Sequence, residues 1–263
     1  MMEDKYKYII EDAQELSRKW NVFVLIFGFP ALIGFLLFGG FFVSTFGKSV
    51  SLSGELNSVS VTGLEYLIGL PNVFWGWLFV FSWFLYSIAY RMMHRNIIKA
   101  YLLNQIILLM MVIPIYYSIF YGIQFFVPFL LVRVLNWLMF VASLVYIFWH
   151  YVSKTVQSLP ISSRITSKQL STVLLVLWGI SALSSLIHDG FQNILASVLL
   201  AAMPIFPPLI VIVFTLILRG ILSTLLALNV LNADQEKYRK EFGYSVEDWY
   251  GKKSQRYKES LGK

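Results

Sequence analysis

From Asn21 to Phe46 the chain runs through twenty-six residues without a single charged side chain. A helix needs about 20 mostly apolar residues to cross the hydrocarbon core of a bilayer, so this stretch constrains the fold more than any other feature. Comparable runs recur at 70–90, 98–121, 125–151 and 170–187, and a longer one covers 191–231. The chain has 263 residues, of which 58% are hydrophobic and 13% charged. A protein of this size has too little interior to hide so much apolar surface, and the surplus must face lipid. Soluble enzymes, disordered scaffolds and secreted disulfide frameworks are thereby excluded. The absence of cysteine also removes thiol nucleophiles and thiolate metal sites.

Prolines at 204, 207 and 208 divide the last run into a short piece, 191–203, and a full-length piece, 209–231. The short piece suits a re-entrant segment, near 191–206, better than a crossing. Charge placement points the same way. Lys and Arg cluster before the first run, between the second and third, between the fourth and fifth, and after the last. These segments hold eighteen basic residues, against Lys48 alone in the alternate loops. That asymmetry is the positive-inside pattern. The expected architecture is an all-α integral membrane protein of the plasma membrane. Six transmembrane helices form the polytopic bundle, seven if the short piece spans, with both ends cytoplasmic.

Three regions follow: 1–20, 21–231 and 232–263. In the first, Tyr6, Ile9, Ile10, Ala13, Leu16 and Trp20 recur at helical spacing opposite Glu3, Lys7, Glu11 and Glu15. This predicts an amphipathic helix on the cytoplasmic membrane surface, in place of a cleavable signal peptide. The tail from Asn232 mixes eight basic with six acidic residues and is rich in aromatics. Gly243 and Gly251 read as helix stops, and Ser245 with Asp248 as a cap, so short helices are expected. Tyr238, Phe242, Trp249 and Tyr250 need a surface to cover. A partner protein, the membrane or the protein's own loops would each provide one.

Motifs for covalent chemistry are missing. Gly47-Lys48-Ser49 ends like a phosphate-binding loop, but position 42 is Phe where that loop needs its first glycine. There is no H-E-x-x-H helix and no G-x-S-x-G elbow. Neither a cofactor nor a metal is expected. The histidines are His94, His150 and His188, and the first two share a predicted membrane side. A haem held between His94 and His150 would make the chain a membrane redox subunit.

The ionisable residues at membrane depth are Arg133 and Arg219. A central Arg costs at least about 2.5–3.5 kcal/mol on insertion scales, so each needs a partner, a wet cavity or a snorkelling route. The nearest acidic residues are Glu65 and Asp189, at the outer edge. Together with Asn104, Gln105 and Asn136, the two arginines are candidates for lining a polar path. The same uncharged side chains also serve ordinary helix packing.

Part of the chain resembles the membrane subunits of ABC-2-type exporters. The resemblance rests on Pro30 followed by Leu36-Leu37-Phe38-Gly39, and on Tyr66-Leu67-Ile68-Gly69-Leu70-Pro71, about a third of the chain. It implies six spans, an amphipathic helix before the first and a re-entrant element before the last. The basic residues after the second span and the long tail depart from that family.

The residues support a channel or permease subunit of a transport apparatus driven by a separate ATPase. A DNA-import or conjugation-like translocation machine heads the reading, with the ABC-2-type export permease and the redox subunit as alternatives. The expected partners are membrane lipids, the ATPase, other membrane subunits in an oligomer or hetero-complex, and an anionic cargo that includes nucleic acid.

Overall fold

The computed structural model describes residues 2–52, 61–127, 130–156, 179 and 205–262. The expected span at 170–187, apart from Gly179, and the re-entrant segment near 191–206, apart from its last two positions, lie outside them. Among the described residues there is no strand. The helices are α1 (Met2–Lys19), a π-helical turn (Val24–Gly28), α2 (Phe29–Leu52), α3 (Gly63–Leu67), α4 (Asn72–Met93), α5 (Ile97–Gln124) and α6 (Leu130–Val156). They continue as α7 (Phe206–Ala233), α8 (Gln235–Glu241), α9 (Val246–Tyr250) and α10 (Gln255–Leu261).

Five stretches are long and apolar enough to cross a membrane: Val24–Leu52, Gly63–Met93, Ile97–Gln124, Leu130–Trp149 and Phe206–Ala233. Large apolar side chains stand outward along them. Phe35 is 78% exposed, Trp77 71% and Leu131 71%. Outward apolar surface on helices this long is the mark of a multi-pass membrane protein.

Prolines account for several boundaries. Pro30 has no N–H to donate, and its ring crowds the carbonyl four residues back. The helix answers by widening into the π turn, where the Phe29 amide bonds to the Val24 carbonyl. Pro71 immediately precedes α4. Pro207 and Pro208, expected to precede the last span, instead occupy the first turn of α7, where a missing N–H costs nothing. Gly47-Lys48-Ser49 is helical, inside α2.

The chain divides into two compact units. Unit 1 comprises Met1–Leu37, Val73–Ile113 and Arg219–Lys263. Its core holds Ile9, Ile10 and Ala13 of α1 with Ala89, Met93, Ile98 and Leu228. The apolar stripe of α1 is therefore covered by protein, not left to lipid. Trp20 meets Phe29 edge-on at 4.8 Å, and Phe29 stacks on Tyr86 at 4.5 Å. The Trp83 indole donates to the Leu25 carbonyl at 3.1 Å, an acceptor whose residue five positions on is Pro30.

Unit 2 comprises Phe38–Asn72 and Pro114–Leu218. Here α2 and α5 cross with their backbones in contact. A Cβ on Gly47 would run into the Gly122 carbonyl, and one on Gly122 into the Val43 carbonyl. Small residues permit such an approach, and van der Waals contact between backbones then holds the pair together. Beside the crossing, Tyr116, Phe120, Trp137, Phe140 and Phe214 pack ring on ring, with Tyr116 and Phe214 nearly parallel at 4.8 Å.

Candidate functional site

Unit 2 contains a charged pair in an otherwise apolar setting. Glu65 stands at the third position of α3, where it caps the helix by accepting from the Thr62 amide at 2.7 Å. An acidic side chain is favoured at this end of a helix by capping and by the dipole. The same carboxylate receives Arg133 from α6, with Nε at 2.7 Å from Oε1 and Nη2 at 3.4 Å from Oε2. The remaining guanidinium nitrogen, Nη1, donates to the Val127 carbonyl at 2.7 Å. Arg133 is 1% exposed and Glu65 15%. Removal from water penalises both charges, and paired fork geometry with a carbonyl acceptor offsets that penalty.

Asn136, one turn further along α6, donates to the side-chain oxygen of Gln124 at 3.2 Å. The Gln124 amide nitrogen is buried and has no hydrogen-bond partner among the described residues. Beside it lies a void of about 10 Å³ lined by Glu65, Ile68, Tyr121, Gln124, Phe125 and Trp137, about one water-sized probe sphere. Hydroxyls tie α3 over this cluster. Tyr117 donates to the Ile68 carbonyl, Tyr121 to the Tyr66 carbonyl at 3.5 Å, and Ser51 meets the Tyr66 hydroxyl at 3.1 Å. The structure thus joins Arg133 and Asn136 and adds Glu65 and Gln124. Glu65 was legible as the nearest acid. Gln124 was not singled out, although it is an amide at the end of an apolar run.

The other expected path residues lie in unit 1. Gln105 is buried on α5, where it shares the Tyr101 phenol with Asp12 of α1. Asn104 is half-buried beside it, and Arg219 is exposed on α7.

A second candidate site in unit 1 is formed where the C-terminal helices fold against α1 and the α4–α5 turn. Tyr6 meets Tyr238 at 5.7 Å, and Tyr238 stacks on Phe242 at 6.2 Å. Gln14 donates to the Asp248 carbonyl at 3.4 Å, and Asn96, which caps α5, donates to Gln235 at 3.1 Å. Of the four aromatic residues expected to need a surface, Trp249 and Tyr250 are buried within the unit, while Tyr238 and Phe242 are half-covered. Gly243 and Gly251 adopt φ of +71° and +83° and end their helical segments. Gly251 also lies against the His94 carbonyl, where a Cβ would stand 2.9 Å away.

A polar cavity of about 690 Å³ opens beside these helices. Its walls include Arg95, Lys99, Lys237 and Arg256, opposed by Asp234, Glu236 and Glu259. Glu236 is the hub, bonded to Arg239 at 2.6 Å and to the Tyr250 hydroxyl at 3.2 Å, with Arg256 at 3.8 Å. The Arg239 hydrogen bond holds the Glu236 carboxyl below its ordinary value, and burial pushes the Tyr250 phenol up.

For the redox alternative, His94 stands edge-on to Tyr90 at 5.2 Å in unit 1. His150 belongs to α6, its side chain outside the described ones, and His188 lies outside the described residues. No cluster of three metal-ligating side chains occurs among the described residues. No protein-family model matches the chain, and no curated protein or solved structure matches it either.

Proposed function

We propose that the chain is a multi-pass subunit of the plasma membrane that contributes part of a translocation path and is driven by a separate ATPase. The observation that carries this reading is the polar cluster of Glu65, Arg133, Asn136 and Gln124. Charged and amide side chains inside membrane-spanning segments are costly, and they recur where a substrate or ion path runs. Arg133 and Asn136 line the path on this reading, and Asn104 and Gln105 extend the polar character of α5.

The orientation has α1, the α4–α5 turn and the C-terminal helices facing the cytoplasm. Their direct contacts support it, since these are the segments that carry the basic excess. Helices that meet on one side require an even number of crossings between them. Five described spans therefore favour a sixth, and the run at 170–187 is its expected location. The cavity bounded by Arg95, Lys99, Lys237 and Arg256 is then open to a cytoplasmic motor. An anionic cargo, nucleic acid included, suits the basic face, and a DNA translocation machine is the foremost version of the proposal.

The test is gentle purification of the full chain from its native membrane, with mass spectrometry of whatever accompanies it. A large DNA-pump-type motor supports the nucleic-acid translocator. A small nucleotide-binding subunit moves the assignment to an ABC-2-type exporter. Recovery of bound haem or metal with no ATPase overturns the proposal in favour of chemistry at His94 and His150.

A further inference from the structure

Three long apolar helices of unit 1 end beside one cavity. α4 stops at Met93, α5 starts at Ile97 and α7 stops at Ala233. The polar cavity of about 690 Å³ is lined by Arg95 and Asn96 from the turn between α4 and α5, by Lys99 from the first turn of α5, and by Asn232 from the end of α7. Lys237 of α8 and Arg256 of α10 complete its basic wall. Where apolar spans give way to charge, acyl chains give way to headgroups, so the cavity lies at the depth of lipid phosphate. Its volume falls within the range of small-ligand sites, about 300–1,000 Å³.

The charges of the wall are unevenly used. Glu236 is engaged by Arg239, which does not line the cavity, and by the Tyr250 hydroxyl. Glu259 accepts from the Gln255 amide at 3.0 Å. Among the described residues, Arg95, Lys99 and Lys237 have no carboxylate within ion-pair distance. The internal segments outside the described residues hold two carboxylates, Glu55 and Asp189, whereas 157–178 holds Arg164 and Lys168 with none. In the orientation proposed above, both carboxylates lie across the membrane from the cavity, and the inference rests on that orientation.

The wall chemistry selects phosphate. A guanidinium fork with two ammonium groups from separate elements matches an anion that offers several oxygens at once. Tyr250 is the one aromatic residue of the wall. It is buried, and Arg256 lies over its ring at 4.8 Å, so no plate is open on which a nucleobase would stack. We infer that this cavity binds the phosphate of a headgroup-sized ester through Arg95, Lys99 and Lys237, with an anionic phospholipid of the adjoining leaflet as its source. A leaflet presents such headgroups at this depth at high local concentration, which favours lipid over a soluble phosphate. The bound anion ties the start of α5 to α8 and so steadies the C-terminal helices.

The test uses the full chain, purified in mild detergent, with its retained phospholipid counted by mass spectrometry. One variant carries Arg95→Gln, Lys99→Gln and Lys237→Gln together. A second loses equal charge outside the cavity, by Lys7→Gln, Lys252→Gln and Lys253→Gln. Wild type and the second variant should retain an anionic phospholipid, reduced at least about tenfold in the first. Wild type stripped of lipid should resist proteolysis of residues 234–262 better in nanodiscs of phosphatidylcholine with phosphatidylglycerol than in phosphatidylcholine alone. The first variant should show no such difference. Should that variant fail to accumulate, Lys99→Gln alone takes its place. Equal protection by glycerol phosphate or inorganic phosphate, in phosphatidylcholine alone, keeps the phosphate site and makes its source soluble.

Equal lipid loss in both variants would reduce the effect to general surface charge and overturn the inference while the orientation stands. So would the absence of any retained phosphate compound, or protection by an oligonucleotide and by no lipid. If a zero-length carbodiimide joins Lys99 or Lys237 to Glu55 or Asp189, the chain itself fills the cavity, and the orientation falls together with the inference. An ATPase that accompanies the chain, or none, leaves the lipid count unaffected, so the transport reading is scored separately.

Discussion

The two units handle charge in opposite ways. Among the described residues of unit 2 a single ion pair occurs, Arg133 with Glu65, which is shut away from solvent, with Glu65 lining a void beside Tyr121, Phe125 and Trp137. Among the described residues of unit 1 ion pairs are more numerous and more open. Arg239 with Glu236 is 14% and 46% exposed, and Lys19 with Glu15 is 68% and 64% exposed. Their number is a poor guide to their weight. An exposed pair exchanges one hydrated state for another and is worth little, whereas half of a buried pair cannot be removed without stranding the other half. One contact in unit 2 should therefore outweigh the whole surface network of unit 1.

The strongest way to break that contrast is Glu65→Ala. It leaves the Arg133 guanidinium buried without its carboxylate, and a loss of about 3–5 kcal/mol is expected. Thermal unfolding in detergent, followed by tryptophan fluorescence, measures it. The double variant Glu65→Leu with Arg133→Met should recover most of the stability, because apolar replacements of similar size remove both charges together. If the double variant is stable yet inactive in cargo transfer, the pair serves function and not packing. Equal losses in single and double variants would refute the argument.

Trp249→Ala is the corresponding probe of unit 1, where a fully buried indole pins the C-terminal helices. A local cost of about 3 kcal/mol is expected, seen as earlier proteolysis of residues 234–262 with the remainder intact. Gly122→Ala forces a methyl group onto the Val43 carbonyl and should cost about 1–3 kcal/mol as the helices move apart. A melting temperature equal to wild type would show that the crossing relaxes freely.

The smallest effect concerns Glu236. Its carboxyl is held below the ordinary value by Arg239, so its contribution is complete above the unfolded-state value and is lost as pH falls through the lower, folded one. Hydrogen exchange of the C-terminal helices should accelerate between about pH 5 and pH 3. Glu236→Gln should flatten that profile and cost no more than about 1 kcal/mol at neutral pH, since the site is half-exposed.

The apolar spans were legible because a crossing needs only length and composition, and these are local properties. Their ends were less so. α2 continues to Leu52, beyond the expected 46, and carries Lys48 within its helix, over the Tyr66 ring. α6 begins at Leu130, not 125. Arg133 was recognisable as a residue in need of company, and Glu65 as its nearest acid, because a lone charge in an apolar run announces itself. The burial of Trp249, the meeting of Tyr6 with Tyr238 and the Gly47–Gly122 contact were not legible. Each joins residues far apart in the chain, and no periodicity records which distant surface will cover an aromatic ring or spare a glycine.

The glycine crossing has a mechanical consequence. Where two backbones touch with no side chain between them, no rotamer can turn to absorb a displacement, so α2 and α5 behave at that point like riveted rods. α3 is fastened differently, by tyrosine hydroxyls on carbonyls and by one carboxylate on one guanidinium, each of which can be released without moving a backbone. Any rearrangement within unit 2 should pivot about the rivet and be paid out as motion of α3.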